Sequence, residues 1–308
     1  MGTPDFSVPT LEALVASEHE VVGVVTQPDK PKGRGKEIHM SPVKECALQH
    51  NIPVYQPVRA RDEAFVDEMR ALNPDVMVVI AFGQILPKSL LELPKYGCVN
   101  IHASLLPKYR GAAPIQWAVI NGDEETGITT MMMDVEMDTG DMLEKTVVKL
   151  DPEETGGSLF DRLSLLGGDL ILSTLSKLEK GEITPVPQDH EKATYVKKIS
   201  KSMGDIDWTM DAVSIERLVR GLNPWPSAFT RWNGKMLKIW EAKVLPDPDV
   251  KLPCGSVISA SDEGLKIQTG AGVLCVTSLQ LEGKKRMDTA AFLRGYQVAA
   301  GSMMERSE

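Results

Sequence analysis

Cysteine is scarce in this chain and its thiols are scattered. Four of them stand at positions 46, 98, 254 and 275 of 308 residues, with no Cys-x-x-Cys pair. That spacing predicts neither a disulfide framework nor a zinc site, and it reads as reduced thiols in a cytoplasmic protein. The five histidines form no cluster in the sequence, so no metal is expected. Long apolar runs are also missing. The stretch VMVVIAF at 76–82 has the length of a buried strand, well short of the ~18–20 residues that span a bilayer. No basic-then-apolar signal sequence opens the chain, and it holds no internal repeat or low-complexity tract. What remains is an ordinary globular composition, 42% hydrophobic and 25% charged, in a chain long enough for about two domains.

Charge is uneven along that length. Residues 197–308 carry 16 basic and 13 acidic side chains, a balance of +3, so the net −9 of the whole chain leaves −12 on residues 1–196. A mildly basic smaller part beside an acidic larger one fits a polyanion approached from one side. Chance unevenness of solvated faces explains the charge alone about as well.

In the first two-thirds, short apolar runs alternate with helix-like segments. VVGVVTQ (21–27), DVMVVIAFG (75–83), CVNIHAS (98–104), ITTMMMD (128–134) and KTVVKL (145–150) read as strands. EAFVDEMRAL (63–72), PKSLLEL (87–93) and APIQWAVING (113–122) have helical spacing, and 158–181 is a further helix whose period breaks at Gly167-Gly168. The alternation predicts an α/β domain with a Rossmann-like, mostly parallel sheet. Residues 1–181 form that domain, and the proline- and charge-rich 182–203 reads as a linker. Residues 204–308 contain one helical segment at 214–222 and several short strand-like pieces, which predict a small β-barrel. The opening MGTPDFSVPTLEAL is a turn and a helix, where a doubly wound sheet usually has a strand first. An upstream start codon is the expectation.

Three pieces could carry chemistry. In CVNIHAS, Asn100 and His102 share one face of a strand and lie near its carboxyl end, where open α/β sheets bind ligands. An amide that can donate to an oxyanion beside an imidazole that can move a proton suits attack on a carbonyl-like carbon. A bare Asn-x-His is more often only a polar strand end. DVEMDTGD (134–141) offers carboxylates at another strand end, one of which could fix the tautomer of His102, though Asp-Gly-rich turns are common. SLLPKYRGAAP (104–114) could wall a flat apolar ligand, with Lys108 and Arg110 near its anionic end; an ordinary core-lining loop accounts for it equally well.

Together these pieces resemble the family that transfers formyl from 10-formyltetrahydrofolate. GTPDFSVPTLEAL, VTQPDKPKGRGKEIHMSPVK and GLNPWPSAF are similar to the branch that formylates methionyl-tRNA, and the resemblance covers essentially the whole chain. It implies that Asn100, His102 and Asp138 are catalytic and that Ser104, Leu105, Leu106 and Pro107 bind the folate cosubstrate. It implies further that Phe6 lines a methionine pocket and that Lys30, Lys32, Arg34 and Lys36 contact the acceptor end of initiator tRNA. The C-terminal barrel would be of the oligonucleotide-binding (OB) type. A monomer without a membrane partner is expected, and the reaction needs no metal. Other readings keep the formyl donor but change the acceptor to a nucleotide-sugar amine, glycinamide ribonucleotide or water. A non-catalytic RNA-binding protein is the reading from a different class, and the intact trio weighs against it.

Overall fold

The computed structural model describes residues 1–32, 37–249 and 251–306. The chain forms two compact units. One comprises Met1–Pro114, Glu125–Lys149 and Phe160–Val196, the other Ile115–Glu124, Leu150–Leu159 and Lys197–Glu308.

In the first unit the expected parallel pairing holds for Val24–Val25 with Val54–Tyr55 and for Met77–Val79 with Cys98–His102. Beyond that point the sheet turns antiparallel. Glu125–Met132 pairs antiparallel with Cys98–His102, and Met142–Lys149 pairs antiparallel with Glu125–Met132. The loop at 133–141 is too short for a parallel crossover, which needs roughly a dozen residues or more, so those last two strands can only form a hairpin. Burial follows position: Glu125–Met132 is inside along almost its whole length, while Met142–Lys149 alternates half-buried and exposed residues, as an edge strand does.

The first two residues sit in the plane of the parallel strands. The Gly2 N–H donates to the Val25 carbonyl, the Ile80 N–H donates to the Met1 carbonyl, and Gly2 bridges Ile80 in parallel. The carboxyl ends of Val24–Val25 and Met77–Val79 meet, because the Gln27 amide donates to the Phe82 carbonyl at 3.2 Å. Since Met77–Val79 is parallel to Cys98–His102, the basic insert leaves the sheet at the end where His102 lies.

Helix Glu63–Leu72 matches the expected range and buries Phe65, Val66 and Met69 on one face. It stops at Asn73, whose left-handed backbone (φ 46°) is a common helix terminator. The long helix runs unbroken over Gly156–Lys180, through the two glycines expected to interrupt it. Their role is close approach. A Cβ on Gly168 would fall 2.8 Å from the Ala13 Cβ, and one on Gly167 would fall 3.0 Å from the Thr10 hydroxyl, so the pair lets this helix lie against helix Val8–Val15.

The 182–203 segment does more than connect. Val186 bridges Met142, and Tyr195–Val196 pairs in parallel with Arg110–Gly111.

The second unit is an antiparallel sheet. In spatial order its strands are Ala228–Trp232, Lys235–Leu245, Val273–Leu281, Gly264–Gln268 and Val257–Ser261, with Met287–Asp288 paired to Val273–Leu281. Ile206, Trp208, Ile215, Val219, Leu237 and Phe292 belong to its core. Both edge strands are paired by the 301–305 segment: Glu305 exchanges backbone hydrogen bonds with Arg231, and the Val257 N–H donates to Ser302. Among the described residues, no helix is long and apolar enough to cross a membrane.

Candidate active site

Strand alternation and pairing place Asn100 and His102 as expected, two residues apart on one face, opposite Met131 and Thr129 of the next strand. Asn100 is half-buried and His102 is buried. The environment of the His102 ring differs from the expectation at one nitrogen. Nε2 lies 2.8 Å from the backbone carbonyl of Tyr109. A carbonyl can only accept, so Nε2 carries the proton and the tautomer is fixed by Tyr109. Nδ1 then presents its lone pair toward Asp138, with Oδ1 3.8 Å away. Asp138 is therefore placed to stabilise a proton arriving at Nδ1, while the Tyr109 carbonyl holds the ring.

The groups at both ring nitrogens come from left-handed backbone: φ is 63° at Tyr109 and 56° at Asp138. For side-chain-bearing residues that conformation costs about 1 kcal/mol or more, and it persists only where surrounding bonds enforce it. Those bonds are present. The Tyr109 N–H donates to the Thr194 hydroxyl at 2.8 Å, and the Arg110 N–H donates to the Thr194 carbonyl at 2.8 Å. The carboxylate of Asp138 accepts from the Gly111 N–H at 2.7 Å.

The loop carrying Asp138 begins at the wrong end of the sheet for a simple strand-end acid. Because Glu125–Met132 runs antiparallel, the Met133 N–H bonds to the carbonyl of Cys98, at the amino end of the strand that carries His102. The loop must fold back to reach His102, and Gln188 holds it there. Gln188 donates both amide hydrogens, to the Asp138 and Gly140 carbonyls, each at 2.8 Å. Its own oxygen accepts from Arg110 Nε at 3.0 Å. Arg110 is wholly buried and also donates to the Tyr195 hydroxyl, so it braces the site from within. Lys108 is exposed, its ammonium 4.8 Å from the centre of the Tyr109 ring. Of the other loop acids, Asp134 and Glu136 are exposed.

Nothing in the sequence marks Gln188, Thr194 or the Tyr109 carbonyl. Two lie in the linker-like 182–203, and the third is a backbone atom with no residue signature.

In the 104–107 loop the four residues divide by role. Ser104 is fully buried and spends its hydroxyl on the Lys108 carbonyl at 2.6 Å. Leu106 is buried, its N–H bonded to Thr129 and its carbonyl to the Lys145 ammonium. Burial lowers the Lys145 pKa below the ordinary lysine value. Leu105 and Pro107 are half-exposed and offer the loop's open apolar surface. Gly127 makes room for Leu105, since a Cβ there would come within 2.7 Å of it.

Phe6 lies in the Asp5–Ser7 turn, buried with its ring centre 5.0 Å from that of Phe160. Lys30 is exposed at the start of a hairpin that pairs Lys30–Lys32 with Glu37–His39. Just before it, Asp29 is pinned by Lys44 at 2.6 Å and by Gln56 at 2.8 Å. Arg34 and Lys36 lie outside the described residues. Cys98 is buried beneath the site, and burial raises its thiol pKa to about 12, so packing is its role.

A family model described as "Formyl transferase" matches residues 1–175, and one described as "Formyl transferase, C-terminal domain" matches residues 198–297. The chain is 58% identical over 302 residues to the methionyl-tRNA formyltransferase of Agathobacter rectalis, which covers 98% of this chain and 97% of that protein. It is 50% identical over 304 residues to the protein of the same name in Clostridioides difficile, covering 99% and 98%. Among solved structures, an N-formyltransferase from Helicobacter canadensis, in complex with folinic acid and dTDP-3-aminofucose, superposes with a TM-score of 0.66. It is 17% identical and covers 89% of this chain and 97% of that one. HypX from Aquifex aeolicus, in complex with tetrahydrofolic acid, gives a TM-score of 0.56 at 20% identity, covering 80% of this chain, which spans only 43% of HypX. At those identities the two structures speak to the fold alone.

Proposed function

The chain belongs to the formyltransferase family, and from that premise we propose that it formylates methionyl-tRNA, moving the formyl group of 10-formyltetrahydrofolate onto the α-amino nitrogen of the initiator methionyl ester. The observation that carries this reading is the 58% identity, over essentially the full length of both chains, to a methionyl-tRNA formyltransferase.

The chain's own residues suit that reaction. A free α-amino group titrates near ~7.7–8.0, and an adjacent ester lowers that, so the acceptor needs only modest activation. Asn100 donates to the formyl oxygen as negative charge gathers there; a donor of this kind is worth ~10²–10³ in rate. His102 has spent its Nε2 proton on Tyr109, so it takes the amine proton at Nδ1, facing Asp138. It returns a proton to the departing folate nitrogen, so one proton leaves the amine and one reaches N10 as the new C–N bond replaces the old. Leu105 and Pro107 supply an apolar wall that fits a flat heteroaromatic ring, with Lys108 at its rim for an anionic tail.

Phe6, whose ring is tilted against that of Phe160, is assigned to the wall of the methionine-side-chain pocket. Lys30, Lys32, Arg34 and Lys36 are assigned to the acceptor end of the tRNA, a role supported by the insert leaving the sheet at the His102 end. Residues 1–181 serve as the catalytic domain, and 204–308 as an OB-like tRNA-binding barrel reached through 182–203. Pairing of 301–305 with both sheet edges supports closure of that barrel.

The test supplies 10-formyltetrahydrofolate together with initiator methionyl-tRNA, a dTDP-amino sugar or glycinamide ribonucleotide in parallel. Transfer confined to methionyl-tRNA is the expected result. Preferred formylation of either small amine, or release of formate alone, would overturn the assignment.

A further inference from the structure

Away from the catalytic strand, three side chains with different donor atoms converge between two helices of the first unit. Glu12 stands on helix Val8–Val15. Cys46 stands on helix Pro42–Gln49, and His50 caps that helix one turn further on. The i, i+4 spacing puts the thiol and the imidazole on one helix face, and Leu11, Val43, Cys46 and Ala47 belong to the core cluster that seats the helices together. Cys46 Sγ is 3.2 Å from Glu12 Oε1, His50 Nε2 is 2.9 Å from Glu12 Oε2, and the three donor groups lie within 4.8 Å of one another.

We propose that Glu12, Cys46 and His50 form a binding site for a zinc-like divalent transition-metal ion, distinct from the formyl-transfer centre. One sulfur, one imidazole nitrogen and one carboxylate oxygen match the ligand preferences of Zn²⁺. Bonds of ~2.0–2.3 Å in a tetrahedral site place ligands about 3.3–3.8 Å apart; the two Glu12 contacts, at 3.2 and 2.9 Å, are slightly shorter than that, and all three donors lie within 4.8 Å, so small side-chain shifts would admit an ion. Three protein ligands leave a fourth position for water. The groove beside the cluster, of about 450 Å³, is lined by Glu12 and Cys46 and also by Asp5, Glu45 and Asp161, so its field favours a cation. On binding, Cys46 releases its thiol proton to solvent, and His50 carries its remaining proton on Nδ1. The ion would then cross-link the two helices. Dispersion of the histidines along the sequence hides this site, because only helix packing brings His50 to Glu12.

The simpler alternative is a hydrogen-bonded Glu-His-Cys cluster with no affinity for metal. Titration of the chelator-stripped full-length chain with Co²⁺ or Zn²⁺ separates the two. One equivalent should bind, and the Co²⁺ form should show a thiolate-to-metal charge-transfer band. Cys46→Ser and His50→Ala should each remove that band or weaken binding by more than about 100-fold, beyond what loss of an outer hydrogen-bond partner causes. Cys254→Ser should leave it unchanged. Saturating Zn²⁺ should raise the melting temperature of the parent chain but not of folded Cys46→Ser or His50→Ala. Absence of stoichiometric binding, or binding indifferent to both substitutions, would overturn the site.

Discussion

His102 Nδ1 and Asp138 Oδ1 lie 3.8 Å apart, while His102 Nε2 is fixed by the Tyr109 carbonyl. The acid is therefore not needed to set the tautomer, and its expected contribution to the proposed reaction is chiefly by charge. An opposing charge at about 4 Å is worth roughly 1–4 kcal/mol between water-like and protein-surface dielectrics. Asp138→Asn should accordingly lower kcat by about 5- to 10³-fold, with folate affinity nearly unchanged. Equal losses in kcat and folate binding would show that Asp138 mainly shapes the ligand site.

Gln188 is expected to act through Asp138. It holds the Asp138 and Gly140 carbonyls with both amide hydrogens and receives Arg110 on its oxygen. Gln188→Leu should release the loop and cost up to about 10² in kcat, the scale of an ångström-size misplacement. In the Asp138→Asn background the same change should cost far less, because there is no longer a charge to position. Full additivity in that double-mutant cycle would indicate a general structural role instead.

Acid stability should depend on Glu144. Burial raises its pKa, but hydrogen bonds from Lys177, Thr174 and Ser173 outweigh that and leave it below the usual 4.5. A carboxylate depressed in the folded state contributes stability that is complete above its unfolded value and is lost as pH falls through the folded one. Denaturant unfolding of Glu144→Gln should therefore show a stability deficit at neutral pH that shrinks as pH drops through the carboxylate range. A deficit independent of pH would contradict the assignment.

The basic insert should set salt dependence. Replacing Lys30, Lys32, Arg34 and Lys36 with alanine should weaken tRNA binding and flatten the log–log salt slope by ~0.7–0.9 for each phosphate no longer neutralised. Binding measured from low to physiological salt gives that slope directly. An unchanged slope would exclude the insert from the tRNA interface.

Much of this arrangement was legible in the sequence wherever one local period decides. CVNIHAS became a strand over Cys98–His102, and EAFVDEMRAL became the expected helix. Asn100 and His102 fall on one face because strand side chains alternate. Failure came where long-range geometry decides. Gly167-Gly168 looks like a break to a periodicity argument, yet only the packing against Ala13 shows why glycine is needed. Glu125–Met132 runs antiparallel to Cys98–His102, which no local period foretells, so Asp138 reaches His102 by a loop that folds back. Tyr109 acts through its carbonyl, which every residue has, and Gln188 sits in a segment with no period to read.

The most direct measurement compares single-turnover formyl transfer to initiator methionyl-tRNA by the parent chain, Asn100→Ala and His102→Ala, with folate dissociation constants determined on the same preparations. The parent should transfer formyl. The variants should lose ~10²–10³ for Asn100 and roughly 10²–10⁴ for His102, while binding folate about as tightly as the parent. Transfer by His102→Ala at near-parental rate, or losses accounted for entirely by folate binding, would contradict the roles assigned to this strand.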